Sequence, residues 1–399
     1  MHNVNSTNTR QRWLMLLAIL TTATALRATF TGVAPLLDDI RSAFSLSTAQ
    51  TGLLTTLPLL AFAVIAPLAA GLARRVGMER SLLSAMILIC LGIALRSSGF
   101  EALLWLGTLV IGCGIAFGNV LLPGLIKRDF PGHVARLTGA YSLTMGIAAA
   151  VGSALMVPLA AYGLGWQGAL LALVIFPLLA LLLWLPGLRK SQSAALSGNA
   201  VSHGRKLWRS PLAWQVTLFL GLNSLVYYVV IGWLPAILVS HGMSAAQAGS
   251  LHGLMQLATA VPGLFIGLLL ARLSDQRIIA ALVALLCAAS AVGLWLAPGL
   301  ALLWVIVFGF GSGATMILGL TFIGLRASSA HQAAALSGMA QSIGYLLAAC
   351  GPPVMGKIHD INNDWGLPLL SVALISLVMA WAGACAGRDR EIEPAARPA

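Results

Sequence analysis

The sequence predicts an all-α membrane protein with twelve transmembrane helices in two parallel-repeat, six-helix bundles. Of its 399 residues, 59% are hydrophobic and only 9% are charged, whereas a soluble domain carries about 25% charged residues. The apolar residues form blocks of about 18–24, long enough to cross ~30 Å of hydrocarbon as helices. Segments of the first half also recur in the second. A transmembrane barrel is excluded because its strands are only ~10 residues long and alternate in polarity.

The apolar blocks place the helices in chain order, separated by short polar connections. The longest connection, residues 187–211, is basic and lacks helical apolar periodicity. It is predicted to be a cytoplasmic linker between an N-terminal bundle at 1–186 and a C-terminal bundle with a short tail at 212–399. The predicted helices span roughly 13–36, 51–73, 81–98, 102–126, 137–159, 166–186, 212–238, 246–271, 278–297, 300–325, 334–355 and 366–386.

The basic residues predict the orientation of these helices. An even number of helices puts both termini on the same side of the membrane. If that side is the cytoplasm, nineteen of the 23 Lys and Arg residues lie in cytoplasmic segments, and only Arg41, Arg96 and Lys357 lie in outer connections. This bias follows the positive-inside rule. It predicts a bacterial-type inner-membrane protein with both termini cytoplasmic, and it explains the net charge of +12 without a nucleic-acid partner.

An internal repeat relates the two halves. The segment STAQTGLL at 47–54 matches SAAQAGSL at 244–251, and Pro35 ends the first helix much as Pro235 ends the seventh. Because each half has six helices, corresponding helices run in the same direction, which makes a parallel repeat. Two such bundles can rock about a central site and expose it alternately to each side of the membrane.

Three motifs carry a family resemblance. The segment GLARRVGMER at 71–80 resembles the loop motif Gly-x-Leu-Ala-Asp-Arg-x-Gly-Arg-Arg of the major facilitator superfamily, with Arg74 at the Asp position. The segments ALRATFTG at 25–32 and LPGLIKRDF at 122–130 resemble the cyanate permease and 2-nitroimidazole exporter branch of that superfamily. The resemblance implies a secondary active transporter that uses alternating access. It also implies a gating loop that contains Gly71, Arg75, Gly77 and Arg80.

The resemblance further implies a substrate class. It favours efflux of a 2-nitroimidazole-type compound, and the sister activity in this branch is uptake of cyanate or a similar small inorganic anion. It also implies that helices one, four, seven and ten line the substrate cavity.

Arg27 is the most informative single residue, because it is a charge near the middle of the first predicted span. A charge at this depth costs ~2.5–3.5 kcal/mol even on the lenient insertion scale, and an arginine cannot lose its proton to avoid that cost. All eleven acidic residues fall in predicted connections. We therefore expect Arg27 to bind an anionic or electronegative group of the substrate. The alternative is an arginine that snorkels or that backbone carbonyls satisfy.

Other polar residues within the predicted spans are candidates for the same site. Each offers hydrogen bonds, and the tyrosines also offer a face for a flat ring. The alternative for each is a hydrogen bond between helices. These candidates are Asn119, Asn223, Tyr227, Gln256, Thr315, Gln341 and Tyr345.

His252 is the only histidine predicted inside a span, and it is a candidate for proton coupling because imidazole titrates near neutral pH. The alternative is a histidine satisfied by packing.

A membrane enzyme would need a nucleophile with a base or clustered metal ligands, and the predicted spans supply neither. A channel normally shows rings of charge or a carbonyl filter. The sequence thus predicts no catalytic residue, metal or cofactor. The predicted partners are a small anionic or nitroaromatic substrate and the lipid bilayer, with the protein acting as a monomer.

Overall fold

All the elements that the structure describes are helical. The computed structural model describes residues 3–130, 134–185, 207–266, 273, 275–328 and 330–392. Most of the predicted linker, residues 187–206, lies outside these ranges.

The two halves of the chain each contain long helices and shorter helical pieces. The α-helices of the first half are α1 (Asn3–Thr31), α2 (Leu37–Phe44), α3 (Thr48–Val76), α4 (Met78–Arg96), α5 (Glu101–Asp129), α6 (Val134–Leu159), α7 (Gly165–Ala172) and α8 (Ile175–Trp184). Those of the second half are α9 (Pro211–Ser240), α10 (Ala245–Ala260), α11 (Arg277–Leu296), α12 (Ala301–Leu325), α13 (Ala330–Asn362) and α14 (Gly366–Ala386).

The helices match the hydrophobic pattern of the sequence. Nine segments among the described residues are long and apolar enough to cross a membrane. One of them, Ala140–Trp184, contains two of the predicted helices, which a turn separates at Gly163 and Gly165, both with positive φ. The helices α10 and α13 correspond to the predicted eighth and eleventh spans. Every one of the twelve predicted spans therefore has a helical counterpart in the described part of the chain.

Two prolines explain two of the differences between predicted and observed helix boundaries, whereas Pro235, which was expected to end the seventh helix, lies inside α9. The first helix ends at Thr31 rather than at residue 36, and a short 3₁₀ turn, Ala34–Leu36, follows it. Pro35 has no N–H and cannot bond the Thr31 carbonyl, so the α-helical ladder stops there. The predicted sixth helix is divided into α7 and α8 just before Pro177, which likewise cannot donate to the carbonyl of Leu173.

Two basic residues lie elsewhere than the prediction placed them. Arg96 was expected in an outer connection, but it is the last residue of α4 and only 2% exposed. Lys357 was also expected in a connection, but it lies within α13, which extends to Asn362. For Lys357, the predicted span ends at residue 355, whereas the backbone hydrogen bonds of α13 continue for as long as each N–H finds a carbonyl. Arg96 lies inside the predicted helix range 81–98, although it was counted with the outer connections.

The turn between α3 and α4 depends on a glycine. Gly77 has φ 98° and ψ 152°, a conformation that is essentially restricted to glycine. Its carbonyl accepts from the backbone N–H of Ser81 at 3.1 Å and from the Ser81 hydroxyl at 2.8 Å, which starts α4. The glycine of the predicted gating loop therefore has a conformational role.

The chain forms two compact units. Unit 1 contains Met1–Ser45, Leu57–Leu196 and Ala245–Gly253, and unit 2 contains Leu46–Thr56, Ser197–Ser244 and Leu254–Ala399. Each unit thus consists mainly of one predicted half. The division into bundles at 1–186 and 212–399 stays a prediction.

The internal repeat lies in two short segments, and each of them belongs to the unit that is formed mainly by the other half of the chain. In unit 2 the first turns of α3 lie against α13, where a Cβ on Gly52 would be 2.9 Å from the Pro352 carbonyl oxygen. In unit 1 the first turns of α10 lie against α6, where a Cβ on Gly253 would be 2.6 Å from the Ala150 carbonyl oxygen. Because there is no space for a side chain, small residues are required at both positions.

Candidate functional site

Arg27 lies on α1, one turn before the helix ends. Its neighbours Leu26 and Ala28 are fully buried, whereas Arg27 is half-buried. The Thr31 hydroxyl donates to the Arg27 backbone carbonyl at 3.1 Å. Gly118 of α5 lets the two helices meet at this level, because a Cβ there would collide with the Leu26 side chain. The structure thus presents the one predicted mid-span charge on a helix that is packed tightly on its other faces.

Asn119 follows Gly118 on α5 but is exposed at the surface of the structure. Its role in substrate binding stays a prediction.

The described part of unit 2 contains a polar pair between α9 and α10. The Tyr227 hydroxyl donates to Oε1 of Gln256 at 2.7 Å, and the two residues are only 8% and 1% exposed. Nε2 of Gln256 is also buried and has no hydrogen-bond partner among the described residues. The ring of Tyr227 packs edge-on against that of Tyr228, with centroids 5.3 Å apart. This pair therefore has an aromatic surface and a buried N–H donor that remains available.

Two other candidates make structural hydrogen bonds. Oδ1 of Asn223 accepts from the Ser312 hydroxyl at 3.1 Å, which joins α9 to α12. The Thr315 hydroxyl donates to the Gly311 carbonyl of its own helix at 2.8 Å, and Thr315 is fully buried. For Asn223 the structure contains the bond between helices that the sequence analysis left open as an alternative.

The candidates on α13 differ in burial. Gln341 is exposed, and its Nε2 donates to the Ser337 hydroxyl at 2.8 Å on the same helix. Tyr345, one turn further along, is half-buried. Their roles in substrate binding stay predictions.

His252 lies in unit 1, where it is fully buried. Its Nδ1 is 3.0 Å from the hydroxyl oxygen of Ser153 on α6. That hydroxyl donates in turn to the backbone carbonyl of Thr31 at 3.4 Å. The sequence analysis did not single out Ser153, because a lone serine in an apolar helix is indistinguishable from small filler. The one signal in the sequence is Pro35, which has no N–H to bond the Thr31 carbonyl, so that carbonyl needs another donor.

A charged cluster that the sequence analysis missed lies where α4 begins and α5 ends. The Arg128 guanidinium binds both Glu79 and Asp129, with its Nε 2.7 Å from Oδ1 of Asp129. Glu79 is only 6% exposed. The hydrogen bond to Asp129 raises the pKa of Arg128 above its usual range, and Glu79 adds to this against the opposing effect of burial. By contrast, Arg75 and Arg80 of the predicted gating loop are exposed.

The second half repeats this arrangement with different chemistry. Arg326 follows the last residue of α12 and is 2% exposed. Its guanidinium binds Oε1 of Gln276 and the carbonyls of Ala386, at 2.9 Å, and Gly387, at 3.2 Å. At the offset that aligns 47–54 with 244–251, Gln276 corresponds to Glu79, whereas Arg326 lies one residue beyond the position that corresponds to Arg128. Arg326 thus binds mainly an amide and backbone carbonyls, and its Nη1 also lies 3.8 Å from Oδ1 of the exposed Asp389.

The family model that matches this chain is the Major Facilitator Superfamily, over residues 17–352. The chain belongs to the Major Facilitator Superfamily. It is therefore a multi-pass membrane transporter of a small-molecule substrate, and the predicted all-α transporter fold is confirmed.

Two relatives show which branch of the superfamily this chain resembles, and a solved structure shows its fold. The chain is 72% identical to the 2-nitroimidazole transporter of Escherichia coli (strain K12) over 383 residues, which cover 96% of this chain and 98% of that protein. It is 27% identical to the cyanate transport protein CynX of the same organism, over 91% of this chain and 96% of CynX. A bacterial homolog of the human lysosomal transporter Spinster superposes with a TM-score of 0.74 at 20% identity, over 96% of this chain and 99% of that chain. The predicted resemblance to this branch of the superfamily is confirmed.

Proposed function

We propose that this protein exports 2-nitroimidazole or a closely related electronegative aromatic compound across the bacterial inner membrane by alternating access. The observation that carries the proposal is the 72% identity to the 2-nitroimidazole transporter of E. coli over nearly the full length of both chains. The donor groups of the candidate site support it chemically.

The polar groups of the candidate residues suit a flat substrate with hydrogen-bond acceptors at one end. A nitro group has two adjacent oxygens, which match the planar fork of the Arg27 guanidinium. Within unit 2, the buried Nε2 of Gln256 is itself a donor that suits such a compound, and the Tyr227 ring beside it provides an apolar face. Leaving a buried donor unmet is unfavourable, so a bound acceptor would be stabilising.

Uptake of cyanate is the second candidate function, supported by the 27% identity to CynX. Cyanate is a linear anion that a guanidinium alone can bind, and it has no ring to stack. The aromatic pair Tyr227 and Tyr228 therefore favours the nitroaromatic compound over cyanate.

The orientation and coupling belong to the same proposal. Most Lys and Arg residues fall in connections on the same side of the membrane as the two termini. By the positive-inside rule that side is the cytoplasm. The transporter acts as a monomer in lipid, and His252 remains the predicted group for proton coupling.

A binding screen on the purified full-length protein tests this function. Isothermal titration would compare 2-nitroimidazole with imidazole, which lacks the nitro group, and with cyanate and nitrite at several pH values. We expect 2-nitroimidazole to bind more tightly than imidazole. Tight cyanate or nitrite binding without 2-nitroimidazole binding would instead establish an inorganic-anion transporter.

A further inference from the structure

The end of α1 is held by side chains that replace a missing backbone hydrogen bond. Pro35 has no N–H, so the carbonyl of Thr31 has no donor four residues along the chain. The Ser153 hydroxyl on α6 donates to this carbonyl at 3.4 Å. Thr31 and Ser153 are 1% and 0% exposed, so this carbonyl is closed to bulk water. In the membrane such a carbonyl requires a protein donor.

A second carbonyl of the same turn is also bound by a side chain. Nη1 of Arg96 on α4 donates to the Thr29 carbonyl at 3.2 Å. Both carbonyls belong to the last turn of the helix that carries Arg27. That turn is therefore bound on one side by α4 and on another by α6.

His252 fixes the direction of the Ser153 hydroxyl. A serine has one hydrogen to donate, and here it goes to the Thr31 carbonyl. With its hydrogen directed to the Thr31 carbonyl, the serine oxygen can accept from Nδ1 of His252, which lies 3.0 Å away. The contact with His252 thus restrains the Ser153 side chain, whereas serine hydroxyls in other helices commonly bond a carbonyl of their own helix.

Two glycines place His252 against α6. They flank the histidine on α10, where a Cβ on Gly249 would be 3.2 Å from the Ser153 carbonyl oxygen and one on Gly253 would be 2.6 Å from that of Ala150. The spacing of four residues puts both glycines on one face of the helix. The close approach is what brings the imidazole within hydrogen-bond distance of Ser153.

We infer that Ser153 and His252 are positioning residues that fix the last turn of α1 and thereby the direction of Arg27. The Arg27 carbonyl accepts from the Thr31 hydroxyl and the Thr31 carbonyl accepts from Ser153, so the two bonds connect Arg27 to α6. The bond network follows from the geometry alone. Its consequence for substrate affinity rests on the proposed function of Arg27.

The test has two independent measurements on the full-length protein. Hydrogen–deuterium exchange of the segment 28–36 is compared between the parent protein, Ser153→Ala and His252→Ala. We expect exchange at least about tenfold faster in both variants, because each loses a donor to a buried group. Ser290→Ala is the matched control, since Ser290 is equally buried but its hydroxyl bonds only the Leu286 carbonyl of its own helix.

The second measurement separates positioning from general damage. For 2-nitroimidazole transport we expect Ser153→Ala to raise KM about five- to tenfold with a smaller change in kcat, as misplacement of a binding group should. Ser153→Thr keeps the hydroxyl and His252→Asn keeps a donor near the Nδ1 position, so both should restore most of the affinity.

Three outcomes decide the inference. Unchanged exchange at 28–36 in Ser153→Ala would overturn it, whatever the transport result. Faster exchange with a parental KM would show that the bonds exist without serving the substrate site, which overturns the positioning role. If the parent protein does not bind 2-nitroimidazole, the proposed function fails, while the exchange comparison still decides whether the bonds hold α1.

Discussion

At the residue scale, the candidate site depends on a few polar side chains in a largely apolar chain. Arg27 is half-buried on a helix whose flanking residues are fully buried. Asn223 and Thr315 use their polar groups for structural bonds, whereas Gln256 has a buried N–H to spare. The sequence alone identifies these residues as polar. The structure shows that Asn223 and Thr315 already form hydrogen bonds, whereas Nε2 of Gln256 has no partner among the described residues.

The first prediction concerns Arg27. We expect Arg27→Ala to weaken 2-nitroimidazole binding about 100-fold, because a hydrogen bond to a charged group contributes roughly 1.5–3 kcal/mol. Arg27→Lys should recover little, since an ammonium lacks the planar fork. Titration of the purified variants measures this, with the exposed Arg209→Ala as the control for loss of one positive charge. Parental affinity in Arg27→Ala would exclude a binding role.

The second prediction concerns the Tyr227 hydroxyl. Tyr227→Phe keeps the ring but removes the donor to Gln256. The glutamine amide is then free to reorient, and we expect affinity for 2-nitroimidazole to fall about three- to tenfold. Tyr162→Phe, at a residue that is 87% exposed, is the matched control. An unchanged affinity would remove this pair from the site.

At the element scale, hydropathy and proline positions predict most of the helices but not what holds their ends. The break after Thr31 follows from Pro35, and the turn at Gly77 follows from a residue type that permits φ 98°. The burial of Arg96 could not be predicted, because its partner, the Thr29 carbonyl, is 67 residues away along the chain. Contacts between distant segments determine the bonds of such side chains, and a single sequence does not encode them as a pattern.

The third prediction tests the turn between α3 and α4. Gly77→Ala should lower the stability of the protein by about 1–3 kcal/mol, since an L-residue is strained in this conformation. The melting temperature in detergent measures the loss. Gly299→Ala is the control, because that glycine has no positive φ and a Cβ there meets nothing within 4 Å. Equal melting temperatures for the two variants would contradict the conformational role.

The fourth prediction tests the cluster around Arg128. Glu79→Ala removes a buried carboxylate but leaves Asp129 in place, so we expect a loss of about 1–3 kcal/mol rather than that of a fully broken buried pair. Glu79→Gln copies the Arg326–Gln276 contact of the second half and should lose less. Thermal melting compares both with Glu101→Ala, at an exposed residue. A larger loss in Glu79→Gln than in Glu79→Ala would contradict this explanation.

At the scale of the whole molecule, the two halves are alike in pattern and different in chemistry. Arg27 and Tyr227 each stand eight residues before a proline, so a cation in the first half corresponds to an aromatic ring in the second. Gln276 likewise stands at the position that corresponds to Glu79, and it binds Arg326 where Glu79 binds Arg128. Corresponding positions of the two halves therefore offer different groups, a cation in one and an aromatic ring in the other.

We propose that this Major Facilitator Superfamily protein carries 2-nitroimidazole and that Arg27 binds it. Counterflow of labelled 2-nitroimidazole into proteoliposomes preloaded with the unlabelled compound tests it most directly, because a carrier exchanges substrate across the membrane. We predict counterflow in the parent protein, its loss in Arg27→Ala and its retention in Arg209→Ala. Absence of counterflow in the parent protein, or undiminished counterflow in Arg27→Ala, would contradict the account.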